Sequence, residues 1–268
     1  MIIKTLIENT TCCGDLAAEH GLSLYIETGA HNILFDMGQS GAFADNAAKM
    51  GVDLAAVDLA VLSHGHYDHG GGIETFLSLN DHAPVYVSEY AFGEHYNGTE
   101  KYIGLADSLK GSPRLIPVGA ERCIGEGLTL FSCHARKLVA PIRPFGLNRR
   151  VDGRFVPETF LHEQYLLIEE DGKRVLVSGC SHKGILNAAS WFEPDVLVGG
   201  FHFMKQTDET VLATAADALL AHPTLYFTGH CTGEMQYAFL KERMGDRLQA
   251  LTTGKVIDLE DYKEAVCP

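Results

Sequence analysis

The segment LSHGHYDHGGG, residues 62–72, places three histidines and an aspartate within six positions, directly after an apolar run. The run DLAVLS that leads into it has the composition of a buried strand, so the chain must turn sharply at a strand end. Gly65 and the glycines at 70–72 permit the backbone angles that so tight a turn requires. Imidazole and carboxylate groups together suit Zn²⁺, Mn²⁺ or Fe, with Zn²⁺ as the default expectation. The segment therefore predicts a metal-binding loop.

The H-x-H-x-D-H spacing divides these side chains into two groups. His64 and His66 alternate along an extended turn, so both imidazoles can face one ion. Asp68 and His69 follow the bend and can face a second point nearby. The alternative is a polar surface turn, which explains a single histidine but not this set of ligands directly after a strand.

Two further apolar runs end in the same way. VSGCSHKG, residues 177–184, carries Cys180 and His182, and YFTGHCTG, residues 226–233, carries His230. Three strand ends that each present a histidine are hard to explain by core packing. Because loops at strand ends converge at an edge of the sheets, where functional sites commonly lie, we expect these segments to meet.

Alternating elements predict an α/β fold. Short apolar runs bounded by turn residues predict strands at residues 2–7, 22–27, 32–36, 58–63, 84–88, 128–132, 164–170, 173–179, 195–200 and 224–229. Helical patterns occupy residues 40–50, 208–221 and 233–244. Asp171-Gly172 predicts a hairpin, and Thr207 is the expected N-cap of the second helix. This order indicates central sheets with helices outside them.

Residues 89–127 and 134–160 hold much of the glycine, proline and arginine and show weak periodicity. We predict that they are surface connections, some forming a lid, because long loops in a compact domain are usually functional. The chain is expected to be a single domain over residues 1–268, with 89–160 as its lid or insert region.

Composition excludes several classes of function. A net charge of −14 argues against electrostatic binding of nucleic acid. No apolar run approaches the ~18 residues that a membrane helix needs. Seven cysteines without a CxxC pair, and an N-terminus that turns polar too soon for a signal peptide, predict a cytoplasmic protein. We expect a small-molecule partner, anionic in character, and the sequence carries no signal for an oligomeric state.

The H-x-H-x-D-H motif after a strand resembles the signature of the metallo-β-lactamase superfamily. LIENT, EHGLSLYIE, ILFDMG, SGCSHKGI, VGGFHF and TGHCTG resemble, in order, the branch related to 7,8-dihydropterin-6-methyl-4-(β-D-ribofuranosyl)aminobenzene-5′-phosphate synthase. The resemblance runs from about residue 8 to residue 260. It implies an αββα sandwich, two central mixed sheets with helices on the outer faces, and one or two divalent ions at the sheet edge.

The resemblance also implies which residues hold the ions. The first ion would be held by His64, His66 and His182, and the second by Asp68, His69 and His230. Cys180 stands where much of the superfamily has a bridging aspartate. It is a metal ligand, a thiol behind the ligands, or a small buried residue.

Several positions remain open on the sequence alone. His162 lies close to where many superfamily members place their third histidine, and it is the rival of His182. His202, after VGG, is either a catalytic donor to a substrate oxyanion or a core histidine. Asp36, at the end of another strand, either accepts from a metal-binding imidazole or is a simple turn residue.

Other polar residues near these motifs receive weaker predictions. Gln39-Ser40 begins a helix whose free N–H groups are a candidate anion site, and Asn9 and Thr10 are candidates for the same sheet edge. Glu19 and His20 are candidates for cap or surface residues. The histidines without supporting neighbours are expected at the surface: His31, His82, His95, His134 and His222.

The leading functional hypothesis is hydrolysis by a metal-activated water, with Asp68 and His202 as the catalytic candidates. The substrate would be a phosphoester, a lactone or a similar small molecule. One alternative is the pterin-pathway synthase reaction that gives the branch its name. A second alternative is a sensor that binds metal without catalysis.

Overall fold

The computed structural model describes residues 1–261, and the end of the predicted domain, including Cys267, lies outside the described residues. Two seven-stranded mixed sheets form its centre. The first sheet contains, in spatial order, β18 (Val256–Asp258), β1 (Ile2–Ile7), β2 (Ser23–Glu27), β3 (Asn32–Phe35), β4 (Leu59–Val61), β5 (Val85–Ser88) and β8 (Leu115–Val118). The second contains β17 (Leu248–Ala250), β16 (Leu225–Thr228), β15 (Val196–Val198), β14 (Lys173–Val177), β13 (Tyr165–Glu170), β10 (Leu128–Phe131) and β9 (Glu121–Gly125).

The two sheets share one pattern of pairing. From β18 to β3 neighbours are antiparallel, and from β3 to β8 they are parallel. The second sheet is parallel from β17 to β14 and antiparallel from β14 to β9. The parallel strands of each sheet end in the loops that carry the predicted site.

The core between the sheets comes from alternate side chains of facing strands. Ile26 and Phe35 of the first sheet share a buried cluster with Leu130, Ile168 and Val175 of the second. Each such side chain contributes about 1.5–3 kcal/mol when it is fully buried. Opposite faces of the strands are covered by helices, so the strands are apolar on both faces and their sequences are continuous apolar runs.

The helices lie on the two outer faces. They are α1 (Ala42–Lys49), α2 (Tyr67–Gly70), α3 (Ile73–Leu79), α4 (Ile185–Phe192), α5 (Glu209–Leu220) and α6 (Glu234–Met244). Phe43 of α1 and Phe76 of α3 pack on the first sheet, and Leu219 of α5 and Leu240 of α6 pack on the second. The predicted αββα sandwich is confirmed. No helix within residues 1–261 is both long and apolar enough to cross a membrane.

The predicted elements are present, with one correction to a cap. All of the predicted strands form, with bounds that differ by at most two residues, and the three predicted helices correspond to α1, α5 and α6. Asp171 and Gly172 form the tight turn between β13 and β14, both with positive φ. The N-cap of α5 is Asp208 and not Thr207, since the Asp208 carboxylate accepts from the Thr210 N–H at 2.9 Å.

Residues 89–160 contain more regular structure than predicted. β8 and β9 extend the two large sheets, and a third sheet contains β12 (Arg154–Pro157), β11 (Leu147–Val151), β6 (His95–Asn97) and β7 (Lys101–Tyr102). These strands were not among those predicted for 89–127 and 134–160. These strands are short and several are exposed, so they lack the apolar runs that identify a strand in a sequence.

Candidate metal centre

The H-x-H-x-D-H loop leaves β4 and enters α2 within a few residues, and its backbone is tightly packed. A Cβ atom on Gly65 would lie 2.0 Å from the carbonyl oxygen of Ala91, so only glycine fits there. The Gly65 N–H donates to Nδ1 of His162 at 3.0 Å. The loop is thus fixed in a shape that sends alternate side chains to one edge of the sheets.

The first group of side chains is a triad of buried imidazoles. His64, His66 and His182 offer nitrogen atoms that all lie within 4.8 Å of one another. The Nε2 atoms of His64 and His182 are 3.2 Å apart. Two nitrogen ligands bound at ~2.0–2.1 Å to a tetrahedral zinc ion are themselves about 3.3 Å apart, so the spacing fits a divalent cation.

The second group combines a carboxylate with two imidazoles. The Nε2 atoms of His69 and His230 are 3.1 Å apart. Oδ2 of Asp68 lies 3.4 Å from the His230 Nε2 and 3.9 Å from the His69 Nε2. The structure therefore brings together all six histidine and aspartate positions that the sequence indicated, in the two predicted groups.

Hydrogen bonds to Nδ1 orient two of these imidazoles. The Ser63 hydroxyl donates to Oδ2 of Asp36 at 2.7 Å, so its oxygen accepts from Nδ1 of His64 at 2.8 Å. Nδ1 of His69 donates to the same Asp36 oxygen at 2.6 Å. With the proton on Nδ1, each neutral ring presents the lone pair of Nε2 to the shared space. Asp36 is an acceptor behind the ligands and not a simple turn residue.

His230 is oriented in the same way from a distant part of the chain. Its Nδ1 donates to Oδ1 of Asn9 at 2.9 Å, and its backbone N–H donates to the Glu8 carboxylate. Glu8 also accepts from the Thr10 N–H at 2.6 Å. Asn9 and Thr10 thus lie at the predicted sheet edge. The residues directly after β1 hold the loop after β16.

Electrostatics favour neutral rings in the first group. Burial, reinforced by the neighbouring imidazoles, lowers the pKa of His64 and of His182 well below the usual value. Burial also lowers the pKa of His66 to about 3, against the opposing effect of the Asp68 carboxylate. Neutral imidazole is the form that binds metal, so these three side chains are ready to act as ligands at neutral pH.

In the second group, neighbouring charges favour the charged forms of His69 and Asp68. Burial lowers the pKa of His69, but the Asp36 and Asp68 carboxylates outweigh it and the net effect is a raised pKa. Burial raises the pKa of Asp68, yet His69 and His230 outweigh it and lower the pKa below its usual range. Asp68 is therefore ionised, and a proton and a cation compete for the space between His69 and His230.

Cys180 lies between the two groups. Its buried Sγ is 3.2 Å from the His69 Nε2, and it shares a potential ligand set with His64 and His69. Burial and the adjacent Cys231 raise the pKa of the thiol well above its usual value. A bound cation reverses that preference, because metal coordination deprotonates a thiol. The thiol thus faces the candidate metal centre, which argues against its being a filler of the core.

His162 has a different role from His182. Because its Nδ1 accepts from Gly65, its neutral ring carries the proton on Nε2 and offers no free lone pair there. It lies instead in a second buried cluster with His95 and with His66, which also belongs to the first donor group. The expectation that His95 is a surface residue was wrong: it is buried, and its Nδ1 donates to the Glu158 carboxylate at 2.7 Å.

Glu158 holds the His95 side chain of this second cluster in place. Burial raises the pKa of Glu158, but donation from His95 and from the N–H groups of Phe160 and Thr159 outweighs it and lowers the pKa overall. We expect Glu158→Ala to reduce the free energy of unfolding by about 3–5 kcal/mol at pH 7, since it leaves buried donors without an acceptor. Urea unfolding measures the loss.

The pH dependence of that loss has a defined sign. A depressed carboxyl pKa stabilises the fold above the unfolded value of ~4.3, so the difference from wild type should shrink as the pH falls through the native pKa. The exposed Glu100→Ala variant is the control and should change stability by less than about 0.5 kcal/mol. A loss in Glu158→Ala as small as that would contradict the structural role of this carboxylate.

The segment HEQY, residues 162–165, supports the loops that carry the donor groups. The buried carboxylate of Glu163 accepts from the N–H groups of His182 and Lys183, at 2.6 and 2.9 Å. The Gln164 amide donates to the carbonyl of Leu62 at 2.8 Å. The burial of these polar side chains depends on how the sheets pack, so it has no signal in the local sequence.

His202 and His20 border the two groups. The rings of His202 and His182 have centroids 4.3 Å apart, and burial lowers the pKa of His202 to about 4, so it is neutral at pH 7. His20 is exposed, yet its Nε2 lies 3.4 Å from Oδ2 of Asp68. His20 is therefore part of the site, although the sequence indicated only a cap or surface residue.

The proposed anion site at Gln39-Ser40 is filled from within the chain. The Glu19 carboxylate accepts from the N–H groups of Gln39 and Ser40, at 3.0 and 3.2 Å, and from the Ser40 hydroxyl at 2.6 Å. The free N–H groups that were predicted to bind an external anion are already occupied, so that prediction was wrong.

Two layered sheets with helices outside, and imidazole, carboxylate and thiol groups able to hold divalent metal at one edge, define an αββα protein with a candidate metal centre. The chain belongs to the metallo-β-lactamase superfamily, whose family model matches residues 17–230. The family predicted from the H-x-H-x-D-H motif is therefore confirmed.

Individual relatives cover nearly the whole chain. The uncharacterised protein MJ0448 of Methanocaldococcus jannaschii is 28% identical over 242 residues, covering 87% of this chain and 91% of the relative. The 7,8-dihydropterin-6-methyl-4-(β-D-ribofuranosyl)-aminobenzene-5′-phosphate synthase of the same organism is 25% identical, covering 90% of each chain. Tm1679, whose crystal structure is described as a metal-dependent hydrolase of the β-lactamase superfamily, is 27% identical, with a TM-score of 0.82 and coverage of 96% and 98%.

Proposed function

We propose that this chain is a metal-dependent hydrolase that acts on a small anionic substrate with a water nucleophile. The observation that carries the proposal is the pair of donor sets from three strand ends, with Nε2–Nε2 distances of 3.2 and 3.1 Å. We propose two divalent ions, Zn²⁺ in the first instance, held by His64, His66 and His182 and by Asp68, His69 and His230. Cys180 is proposed as an additional ligand between them.

The chemistry that such ions supply is hydroxide at neutral pH, because binding lowers the pKa of water from ~15.7 to ~7. Side chains of the protein would orient the water, accept its proton and stabilise the transition state. Asp68, held ionised by its histidines, is placed to orient the attacking water or to receive its proton. His202 is neutral, and so it can donate an N–H to the oxygen that gains charge in the transition state.

The mouth of the site supports an anionic substrate. A pocket of about 120 Å³ lies against both donor groups and includes Lys101 of β7 and Lys205 after β15. Both lysines are exposed, and they lie beside the site in a chain with a net charge of −14. Asn97 and Leu147 of the small third sheet also line this pocket, which supports a role for part of 89–160 as a lid or insert.

A screen of the metal-loaded protein tests the proposal. Purified protein is analysed for metal content, loaded with Zn²⁺, Mn²⁺ or Fe²⁺, and assayed against phosphodiesters, phosphomonoesters and lactones. We expect turnover of at least one class that is lost with chelator and restored with metal. Protein that contains a full complement of metal but hydrolyses none of these substrates would overturn the assignment.

The relative named as a synthase supports a second candidate reaction. It is 25% identical to this chain over 90% of both sequences. Its name describes a product in which a 7,8-dihydropterin-6-methyl group is joined to (β-D-ribofuranosyl)aminobenzene 5′-phosphate. Incubation of the metal-loaded protein with 4-(β-D-ribofuranosyl)aminobenzene 5′-phosphate and a 7,8-dihydropterin that carries a diphosphate on its 6-methyl carbon should release pyrophosphate if this chain catalyses such a reaction, and no release eliminates the candidate.

A further inference from the structure

A second cavity opens beside the first donor group. Its volume is about 290 Å³, and His182 and His202 line both this cavity and the smaller pocket over the donor groups. A ligand whose reacting atoms lie at the donor groups can therefore extend directly into the larger cavity.

Most of the wall of this cavity is hydrocarbon. Ile185 and Leu186 come from α4, Val211 and Ala215 come from α5, and Phe201 and Phe203 follow β15. Binding sites for small molecules are commonly apolar clefts of this kind, with few polar groups to fix orientation.

Apart from the exposed Arg143 and Thr210, the polar side chains of the wall outside the two histidines are already engaged within the protein. The Ser181 hydroxyl is hydrogen-bonded to that of Ser178, and the Thr214 hydroxyl donates to the Thr210 carbonyl. The side-chain Oε1 atom of Gln206 accepts from the Asp208 N–H, and the Asp208 carboxylate caps α5.

A ligand with nitrogen and oxygen atoms along its edge would lose its hydrogen bonds to water and find few replacements in this wall. An alkyl chain makes no hydrogen bonds to water, so it loses none on entering the cavity. The chemistry of the wall therefore selects a hydrocarbon group over a polar heterocycle.

We propose that this cavity binds an alkyl or acyl chain of the substrate, with the reacting anionic group placed at the His182 and His202 edge. At roughly 30 Å³ for each water-sized group, the volume holds a chain of about eight to ten carbon atoms. This inference rests on the proposed function for the placement of the reacting group, and it adds the class of substrate: an amphiphile with an anionic or ester head and a medium-length chain.

Calorimetric titration with alkylphosphonates tests the inference without requiring turnover. The Zn²⁺-loaded protein is titrated with methyl-, butyl-, hexyl-, octyl- and decylphosphonate. We expect the dissociation constant to fall by roughly threefold to fivefold for each added methylene, as burial of hydrocarbon predicts, and to stop falling when the cavity is full. A dissociation constant independent of chain length in the wild-type protein would overturn the inference.

Two variants that fill the cavity test whether the dependence of binding on chain length arises there. Val211→Phe adds volume from the half-buried face of α5, and Thr214→Trp does so from an exposed position of the same wall. Both should bind methylphosphonate as wild type does and lose the dependence on chain length. Ala213→Phe is the matched control, since Ala213 is on the same helix but does not line the cavity. An unchanged chain-length dependence in both cavity variants would overturn the assignment.

The same titrations separate this inference from the proposed function. Chain-length-dependent binding by a protein that hydrolyses nothing would refute the hydrolase and keep the cavity assignment. Hydrolysis at a rate independent of chain length, with flat phosphonate binding, would refute the cavity assignment and keep the hydrolase.

Discussion

His66→Ala should lower kcat/KM for the hydrolysed substrate by at least about 1,000-fold. The imidazole belongs to the first donor group, and its removal leaves His64 and His182 to hold the ion. Metal-ion catalysis supplies several kcal/mol of transition-state stabilisation, and each 1.36 kcal/mol is a factor of ten in rate. Steady-state kinetics and metal content, measured on the same preparation, give the result.

The variant should remain folded. Burial lowers the pKa of His66 to about 3, so the side chain is neutral at pH 7 and its loss breaks no ion pair. Its buried Nε2 also has no hydrogen-bond partner within the described residues, so removing the side chain leaves no partner of that nitrogen unsatisfied. His82→Ala is the control, because His82 is exposed and belongs to none of the donor groups. Full turnover in His66→Ala would refute the assignment of the first donor group.

Local pattern was sufficient to predict ten of the strands and the loops that carry the donor groups. Strands buried on both faces are continuous apolar runs, and the change from such a run to glycine and histidine marks its end. His64, His182 and His230 all follow runs of this kind, which is why three distant segments could be assigned to one edge.

The residues that hold those loops could not be predicted in this way. Glu8 accepts from the N–H of His230, 222 positions along the chain, and Glu163 accepts from that of His182. A carboxylate that caps a loop from a remote strand has no local signature. Its partner is set by how the sheets pack.

The hairpin of β11 and β12, which was not predicted, does have a local signal in the sequence. Asp152 and Gly153, both with positive φ, form the turn between β11 and β12, as Asp171 and Gly172 do between β13 and β14. The two Asp-Gly pairs have the same chemistry. Only the second is flanked by apolar runs, and for that reason the exposed hairpin was interpreted as a loop.

Asp36→Asn should disable the second donor group by reversing a tautomer. The Asp36 carboxylate accepts from the Ser63 N–H at 2.7 Å, from the Ser63 hydroxyl at 2.7 Å and from Nδ1 of His69 at 2.6 Å. An amide presents one acceptor and one donor in place of two acceptors. If its NH₂ faces His69, the ring must move its proton to Nε2, and the lone pair that faces the site is lost.

We expect this exchange to weaken binding of the second metal equivalent by about 10–100-fold and to reduce kcat/KM at least as much, since partners behind a ligand have effects of that size. Competition with a chromophoric chelator measures the two affinities separately. Asp58→Asn is the matched control, because the Asp58 carboxylate also accepts from a backbone N–H, that of Asn32, but touches no ligand. Asp36 contacts His69 directly but reaches His64 only through the Ser63 hydroxyl, so the first metal equivalent should weaken less than the second. Equal weakening of both equivalents would mean that Asp36 orients His64 as strongly as His69, and unchanged affinity for both would mean that Asp36 does not set the His69 tautomer.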